Sequence, residues 1–241
     1  MDTREHLEAI RVESGRFAEA ARGSLETRVP SCPEWSLGDL VWHLGGVQRF
    51  WAEVVRTQTV DRTTIEPQVD VADDELLAWF DAVSAGLLRA LENTDPAVRV
   101  WSWAGGQQDV AWVRRRQAHE AAVHRWDAQN AVGEAESIAP ALAADGIDEF
   151  FTWMLDPEDV ERFDGALAIR LAPTDGDDSW VVDVRDGRAG LRSDDIPVEV
   201  TLRATASDLL LVLWRRVGAD GVEVQGDRPS LERFLAISDL S

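Results

Sequence analysis

The chain has 241 residues, of which 45% are hydrophobic and 29% are charged, so it can bury a substantial core. Its formal net charge of -21 argues against partners that attract basic proteins, namely a nucleic-acid backbone or an anionic lipid surface. A single cysteine, Cys32, excludes an intrachain disulfide. Because we find no signal pattern and no apolar run of membrane-spanning length, we expect a protein of the reducing cytoplasm.

All 24 basic residues of the chain are arginine, and tyrosine is absent as well. Lysine and tyrosine have AT-rich codons, so this composition indicates a very GC-rich bacterial genome. A halophilic source would also produce an acidic, lysine-poor protein. The pattern concerns ancestry and does not identify a function.

Apolar residues at helical spacing predict four amphipathic helices in the first half of the chain, which is typical of a four-helix bundle. Thr3 is predicted to cap the first helix, and Ser36 begins the second with Asp39 in a capping box. Trp101 and Trp103, in the loop before the fourth helix, either line a pocket or pack that loop down. The expected helices span about 3–22, 36–54, 73–91 and 110–131, and a fifth spans 139–155.

After Pro157 the pattern changes to short strands and short helices. Asp186 and Gly187 predict a hairpin turn between two of the strands. We therefore predict an α+β protein of two domains, a helical bundle over residues 1–157 and a small α+β domain over residues 158–241. The expected strands span 166–171, 179–184, 189–192, 198–202 and 222–224, and the expected helices span 206–217 and 230–237.

Three residues form a candidate metal site. Glu120 and His124 are four residues apart in a predicted helix, so they lie about 40° apart around its axis. His43 interrupts the apolar stripe of another helix, where a polar group is costly without a partner. Two histidines and one carboxylate are a common catalytic metal set with positions left for water or substrate. Helical bundles build such sites from inward-facing side chains on different helices.

Each of these residues also has a purely structural interpretation. Glu120 and His124 would then be a solvent-exposed polar pair, and His43 would be a core histidine bonded to a backbone carbonyl. His119 lies five residues before His124, so it points away from it and the zinc-protease motif fails by one residue. Asp127 lies three residues after His124 and shares its face, so it is predicted to accept a hydrogen bond from that imidazole.

Segments 32–47 and 118–128 together resemble the metal-binding segments of the mycothiol-dependent maleylpyruvate isomerase family. The C-terminal segments 206–211 and 213–216 are similar to the second domain of that family. The resemblance covers nearly the whole chain. It implies a DinB-like four-helix bundle followed by a small α+β domain that contributes to the substrate site.

The resemblance further implies that His43, Glu120 and His124 bind zinc and that a C-terminal arginine helps to hold an anionic substrate. That arginine maps to Arg216, although the usual family form has glycine where this chain has Arg215, which leaves both arginines as candidates. Zinc in such a site lowers the pKa of the mycothiol thiol. The thiolate then adds to a cis double bond, which permits rotation before elimination. Mycothiol belongs to actinobacteria, with which the GC-rich composition is compatible.

We therefore predict a zinc-dependent, mycothiol-using enzyme that activates a low-molecular-weight thiol for attack on an electrophilic small molecule. It is either a maleylpyruvate isomerase or a thiol S-transferase, in which the adduct is the product. A non-catalytic metal- or ligand-binding protein or regulator with the same fold is the alternative, because fold does not determine function. Turnover separates these two classes, since a binding protein shows only saturable binding.

Overall fold

The computed structural model describes residues 1–68, 70–155, 157–192 and 196–237, without the side chains of residues 157 and 159. The chain divides into two compact units, Met1–Glu136 and Ser137–Ser241. The mixed α+β class predicted from the sequence is confirmed. The division precedes the predicted domain boundary at 157/158, because the fifth helix packs against a helix of the second unit.

The first unit is built on four long helices, as the periodicity predicts. Their bounds are α1 (Thr3–Ala21), α2 (Leu37–Thr57), α3 (Leu76–Glu92) and α4 (Val110–Ala131). Helix α1 packs mainly against α4, and α2 packs mainly against α3. Phe17 of α1, Leu40 of α2 and Phe80 of α3 belong to the buried apolar cluster that joins these helices.

Side-chain caps define where α1 and α2 begin. Asp2, not Thr3, caps α1: its carboxylate accepts from two backbone N–H groups, and its own N–H donates to the Glu5 side chain. The prediction was therefore wrong by one residue, and Thr3 is the first helical position. The predicted capping box of α2 is confirmed, since Ser36 Oγ accepts from the backbone of Asp39 and the Asp39 side chain accepts from the backbone of Ser36.

The connections of the first unit contain structure that the hydrophobic pattern did not predict. Strands β1 (Arg28–Val29) and β2 (Cys32–Ser36) pair antiparallel where a loop was expected. Helix α3 begins at Leu76, later than expected, because Asp73 and Asp74 belong to a turn that precedes it, and its N-cap residue Glu75 makes no side-chain cap bond.

The loop that precedes α4 is packed down by its tryptophans. Trp101 stacks on Trp51 with ring centroids 5.6 Å apart. Trp103 contacts Trp112 edge to face at 4.9 Å. Such aromatic pairs add stability beyond the area that they bury. Of the two interpretations of Trp101 and Trp103, the structure therefore favours packing of the loop.

The second unit contains a five-stranded sheet in the order β5-β4-β3-β6-β7. Its strands are β3 (Ala166–Pro173), β4 (Trp180–Arg185), β5 (Arg188–Arg192), β6 (Val200–Ala204) and β7 (Glu223–Gly226). Strand β3 is antiparallel to β4 and parallel to β6. The predicted hairpin turn is confirmed, with positive φ angles of 52° at Asp186 and 67° at Gly187, as a type I′ turn requires.

The helices of the second unit are α5 (Pro140–Trp153), α6 (Pro157–Arg162), α7 (Ala206–Leu213) and α8 (Arg228–Ile237). Helix α7 ends four residues earlier than predicted, and Arg215 just beyond it adopts a left-handed conformation with φ of 59°. In the part of the chain that the structure describes, no helix has both the length and the hydropathy needed to cross a membrane.

The Trp79 side chain of α3 packs closely against α2 at Gly45. A Cβ atom at Gly45 would lie 2.2 Å from Cζ3 of Trp79, so an alanine would displace the indole ring from its place against α2. We expect Gly45→Ala to lower the free energy of unfolding by about 1–3 kcal/mol, the usual cost of overpacking a core. Urea denaturation of the purified protein measures this change.

The matched control is Gly15→Ala on α1, where an added Cβ meets no described atom within 4 Å. Because alanine is the better helix former, we expect this variant to raise the free energy of unfolding by about 0.5–1 kcal/mol. Equal stabilities of Gly45→Ala and the wild type would contradict the close packing of Trp79 against α2.

Candidate metal centre

Helices α2 and α4 bring His43, Glu120 and His124 together. Glu120 and His124 lie one turn apart on α4, and His43 projects from α2. Each side chain offers one ligand atom, and the three atoms lie within 4.8 Å of one another. Glu120 Oε1 lies 3.3 Å from His124 Nε2 and 3.6 Å from His43 Nε2. The structure thus juxtaposes all three residues of the predicted metal set.

The spacing of these donor atoms fits a small divalent cation. Ligand atoms about 2.0–2.1 Å from a tetrahedral ion lie about 3.3–3.4 Å from one another. The two separations from Glu120 Oε1 are close to this value. The side chains of His43 and Glu120 keep 35% and 19% of their surface exposed, so the cluster is in contact with solvent. Imidazole and carboxylate ligands together suit zinc and related transition metals.

Arg116 holds the second oxygen of Glu120. It is buried one turn earlier on α4, and its Nη2 donates to Glu120 Oε2 at 3.0 Å. Burial opposes ionisation of Glu120, but hydrogen bonds from His124 and His43 and the charge of Arg116 lower its pKa well below the ordinary value. Glu120 is therefore anionic at neutral pH, with Oε1 turned toward the two histidines.

Asp127 holds the far nitrogen of His124, as its helical spacing predicts. Its carboxylate is fully buried, and Oδ2 lies 3.0 Å from His124 Nδ1. This contact leaves Nε2 facing Glu120, which is how carboxylates orient metal-binding histidines. Burial lowers the pKa of His124, but hydrogen bonds to Asp127 and Glu120 outweigh it and raise the pKa to about 9. In the metal-free protein this imidazole is thus protonated at neutral pH.

The β1–β2 hairpin contacts the same cluster. Ser31 Oγ, in the turn of the hairpin, donates to Asp127 Oδ1 at 2.6 Å. The ring centroid of Trp35 on β2 lies 5.0 Å from that of His43. The sequence pattern predicted a loop here and gave no sign that Ser31 and Trp35 belong to the site. The i,i+4 spacing of Arg116 and Glu120, in contrast, is a signal that could have indicated Arg116.

His119 lies outside the cluster, in agreement with its predicted direction on α4. Its ring faces His6 of α1, with ring centroids 6.1 Å apart. Both of these imidazoles are buried. His119 therefore belongs to the α1–α4 contact and not to the set formed by His43, Glu120 and His124.

The two candidate arginines of the second unit differ in their contacts. The guanidinium of Arg215 donates to three backbone carbonyls, two at the end of α7 and one in α8. Arg216 Nη1 donates to the carbonyl of Trp214 at 2.9 Å, and its guanidinium carbon lies 5.9 Å from the Trp214 ring centroid. Arg215 thus ties two helix ends together, and Arg216 stays the predicted substrate arginine.

The fold and the cluster define a class of protein in which a helical unit carrying a His-Glu-His set precedes a small α+β unit. The family model described as the mycothiol maleylpyruvate isomerase N-terminal domain matches residues 7–129, and the MDMPI C-terminal domain matches residues 141–233. The chain therefore belongs to the mycothiol-dependent maleylpyruvate isomerase family, and it is an enzyme of the isomerase type. The gap between the two matches contains the division at Glu136/Ser137.

Two solved structures share this fold. A crystal structure of the mycothiol-dependent maleylpyruvate isomerase aligns with a TM-score of 0.69 at 13% identity, over 95% of this chain and 96% of that one. A histidine-to-alanine mutant of that enzyme aligns with a TM-score of 0.68 at the same identity and coverage. No curated protein matches the sequence significantly. At this identity, the structural likeness establishes the fold alone.

The raised pKa of His124 predicts how metal binding depends on pH. Below the pKa of about 9, a proton competes with a metal for the imidazole. We expect the zinc affinity of the metal-free protein to rise about tenfold per pH unit up to that value and then to level off. Competition with a chromophoric chelator measures the affinity, and a flat profile below pH 9 would contradict the assignment.

The same proton affects the stability of the metal-free fold. The pKa of His124 is raised in the folded protein, so protonation of His124 stabilises the fold. This stabilisation is complete below pH 6.5, the ordinary pKa of histidine, and is lost as the pH rises through about 9. Asp127→Asn removes a contact that raises the pKa. In this variant we therefore expect zinc affinity to level off at a lower pH and the stabilisation of the fold to be lost at a lower pH. Glu19→Gln, which changes an exposed residue of α1, is the control and should alter neither pH.

Proposed function

We propose that this protein is a zinc-dependent, mycothiol-using isomerase that acts on a small molecule with a cis double bond conjugated to a carbonyl, such as maleylpyruvate. The observation that carries the proposal is the meeting of His43, Glu120 and His124 within the part of the chain that matches this family. The proposal places the enzyme in the reducing cytoplasm of an actinobacterial cell, where mycothiol is the low-molecular-weight thiol.

The protein's own residues would hold the ion through His43 Nε2, Glu120 Oε1 and His124 Nε2. When bound, zinc would supply a Lewis acid that lowers the pKa of a thiol, so that thiolate forms at neutral pH. Asp127 keeps Nε2 of His124 directed at the cluster, and Arg116 keeps Glu120 Oε2 away from it. Three protein ligands leave a coordination position for a thiol or water.

The reaction that follows balances without an oxidant or a reductant. The thiolate sulfur adds to one alkene carbon, and the π electrons move into the conjugated carbonyl. The remaining carbon–carbon single bond rotates. The electron pair then returns, the carbon–sulfur bond breaks, and the trans isomer leaves with the thiolate regenerated. A thiol S-transferase would protonate the adduct and release it, and the family match favours the isomerase over this second outcome.

Metal content tests the ligand set. We expect about one zinc per chain in the wild type and loss of zinc in His43→Ala, Glu120→Gln and His124→Ala, because each removes one of three ligands. Far-UV circular dichroism should stay unchanged, since none of the three residues belongs to the apolar cluster of the bundle. Glu19→Gln on the exposed side of α1 is the control. Unchanged zinc in His43→Ala would contradict the site.

Turnover tests the activity. We expect the zinc-loaded protein to convert maleylpyruvate to its trans isomer only with mycothiol, and we expect a chelator to reduce the rate at least about 100-fold. Loss of substrate absorbance and chromatography of the product measure the reaction. A stable thioether product would favour the S-transferase, and equal rates with and without mycothiol would contradict thiol dependence.

We also propose that Arg216 holds the carboxylate of the substrate. Its replacement removes a charge-assisted hydrogen bond, so we expect Arg216→Ala to lower kcat/KM about 10–100-fold, mainly through KM, with zinc content unchanged. Arg216→Lys should recover part of the loss. Arg203→Ala, which removes an exposed arginine of β6, is the control. A KM unaffected by Arg216→Ala would contradict the role.

A further inference from the structure

We propose that the β1–β2 hairpin sets the orientation of both metal-site imidazoles and that Ser31 is a positioning residue for His124. This inference rests on the metal site of the proposed function. The hairpin is linked to the two histidines by two different routes, each of them a separate set of contacts. Ser31 acts on His124 through Asp127, and Trp35 acts directly on His43.

The first route is a chain of two hydrogen bonds. Ser31 Oγ donates to Asp127 Oδ1 at 2.6 Å, while Asp127 Oδ2 lies 3.0 Å from His124 Nδ1. The terminal torsion of an aspartate side chain is broad, so a carboxylate held at one oxygen can turn about it. A bond at each oxygen fixes the carboxylate plane, and that plane directs the imidazole. Ser31 therefore restrains the direction in which His124 presents Nε2.

The hydroxyl is presented by a rigid turn. Pairing of Val29 with Cys32 leaves Pro30 and Ser31 as the two turn residues. Val29 is fully buried in the apolar cluster of the first unit, which anchors the hairpin to the helices. The rings of Pro30 and Pro33 fix the backbone φ angle on either side of the serine. The hairpin can thus hold the hydroxyl in place at little further cost in conformational entropy.

The second route is an aromatic contact. Trp35 of β2 packs against the apolar cluster and lies over His43, with ring centroids 5.0 Å apart and planes tilted by 52°. His43 is more exposed than the other two residues of the set, so the indole is a neighbour that limits rotation of its ring. Trp35 thereby favours the rotamer in which His43 Nε2 faces Glu120.

Zinc affinity measures the effect of this positioning. Loss of a partner behind a metal ligand usually costs 10–100-fold in affinity, so we expect zinc to bind the metal-free full-length Ser31→Ala protein about 10–100-fold more weakly. Ser31→Thr keeps the hydroxyl and should recover the affinity to within about threefold of the wild type. Ser24→Ala, which alters a serine outside the hairpin, is the matched control.

Two further readouts separate positioning from a merely structural role. ¹⁵N NMR of the histidine rings should show a changed Nδ1 signal for His124 in Ser31→Ala, with His6 and His119 unaffected. The thermal midpoint of the metal-free protein should fall by only a few degrees in Ser31→Ala, because one hydrogen bond to a buried carboxylate is lost, and Ser31→Thr should restore it. Zinc affinity of Ser31→Ala within about twofold of the wild type would overturn the inference. Equal losses in Ser31→Ala and Ser31→Thr, with a lowered midpoint, would also overturn it.

The same titration distinguishes two kinds of failure. Absence of zinc binding by the wild-type protein would overturn the metal site of the proposed function and this inference with it. Tight binding by the wild type together with an unchanged Ser31→Ala would overturn only the role of the hairpin. Tight binding by the wild type with weakened, threonine-rescued binding in the variants is the result that we expect.

Discussion

The negative charge of Glu120 at the interface of α2 and α4 is the constraint on which the site depends. A carboxylate withdrawn from water is stable only when other groups compensate its charge. Arg116 compensates it from within α4, and the imidazoles of His124 and His43 face its other oxygen. In the metal-free protein a proton on His124 supplies part of this compensation. A divalent cation that displaces the proton would also compensate the charge of Glu120, which is why the cluster suits a metal.

Buried contacts between α1 and α4 hold in place the helix that carries Glu120. Arg125, next to His124 in the chain, is fully buried and its Nε lies 2.6 Å from Glu13 Oε2 of α1. Its guanidinium also donates to the side chain of Gln129 and to the backbone carbonyl of Glu136. Breaking a buried pair of this kind is far more costly than breaking a surface one. The α1–α4 contact therefore fixes the helix from which Glu120, His124 and Asp127 project.

Much of this arrangement could be predicted from the sequence, because helices carry strong local information. The period of 3.6 residues predicted α1 to α4, and the spacing of Glu120, His124 and Asp127 predicted their shared face. The apolar surroundings of His43 indicated an inward position, but the structure leaves 35% of its side-chain surface exposed, so this expectation held only in part. These are properties of single helices, and a bundle needs only to bring two of them together.

The features that could not be predicted from the sequence depend on contacts between segments that are distant in the chain. Strands β1 and β2 have only two and five residues, too few for an alternating pattern, so the hairpin and its residues Ser31 and Trp35 were missed. Helix α5 has the periodicity of the bundle helices, and its place in the second unit follows from packing against α7. The i,i+4 spacing of Arg116 and Glu120 is visible in the sequence, but the burial of Arg116 is not, because Arg116 follows two other arginines.

The most direct test of the central claim is the absorption spectrum of the cobalt-substituted protein during titration with mycothiol. Cobalt is a spectroscopic substitute for zinc in sites with imidazole and carboxylate ligands. We expect a sulfur-to-cobalt charge-transfer band in the near ultraviolet that grows with mycothiol and is absent from His43→Ala. A cobalt spectrum that does not change when mycothiol is added would contradict activation of the thiol by a metal held between α2 and α4.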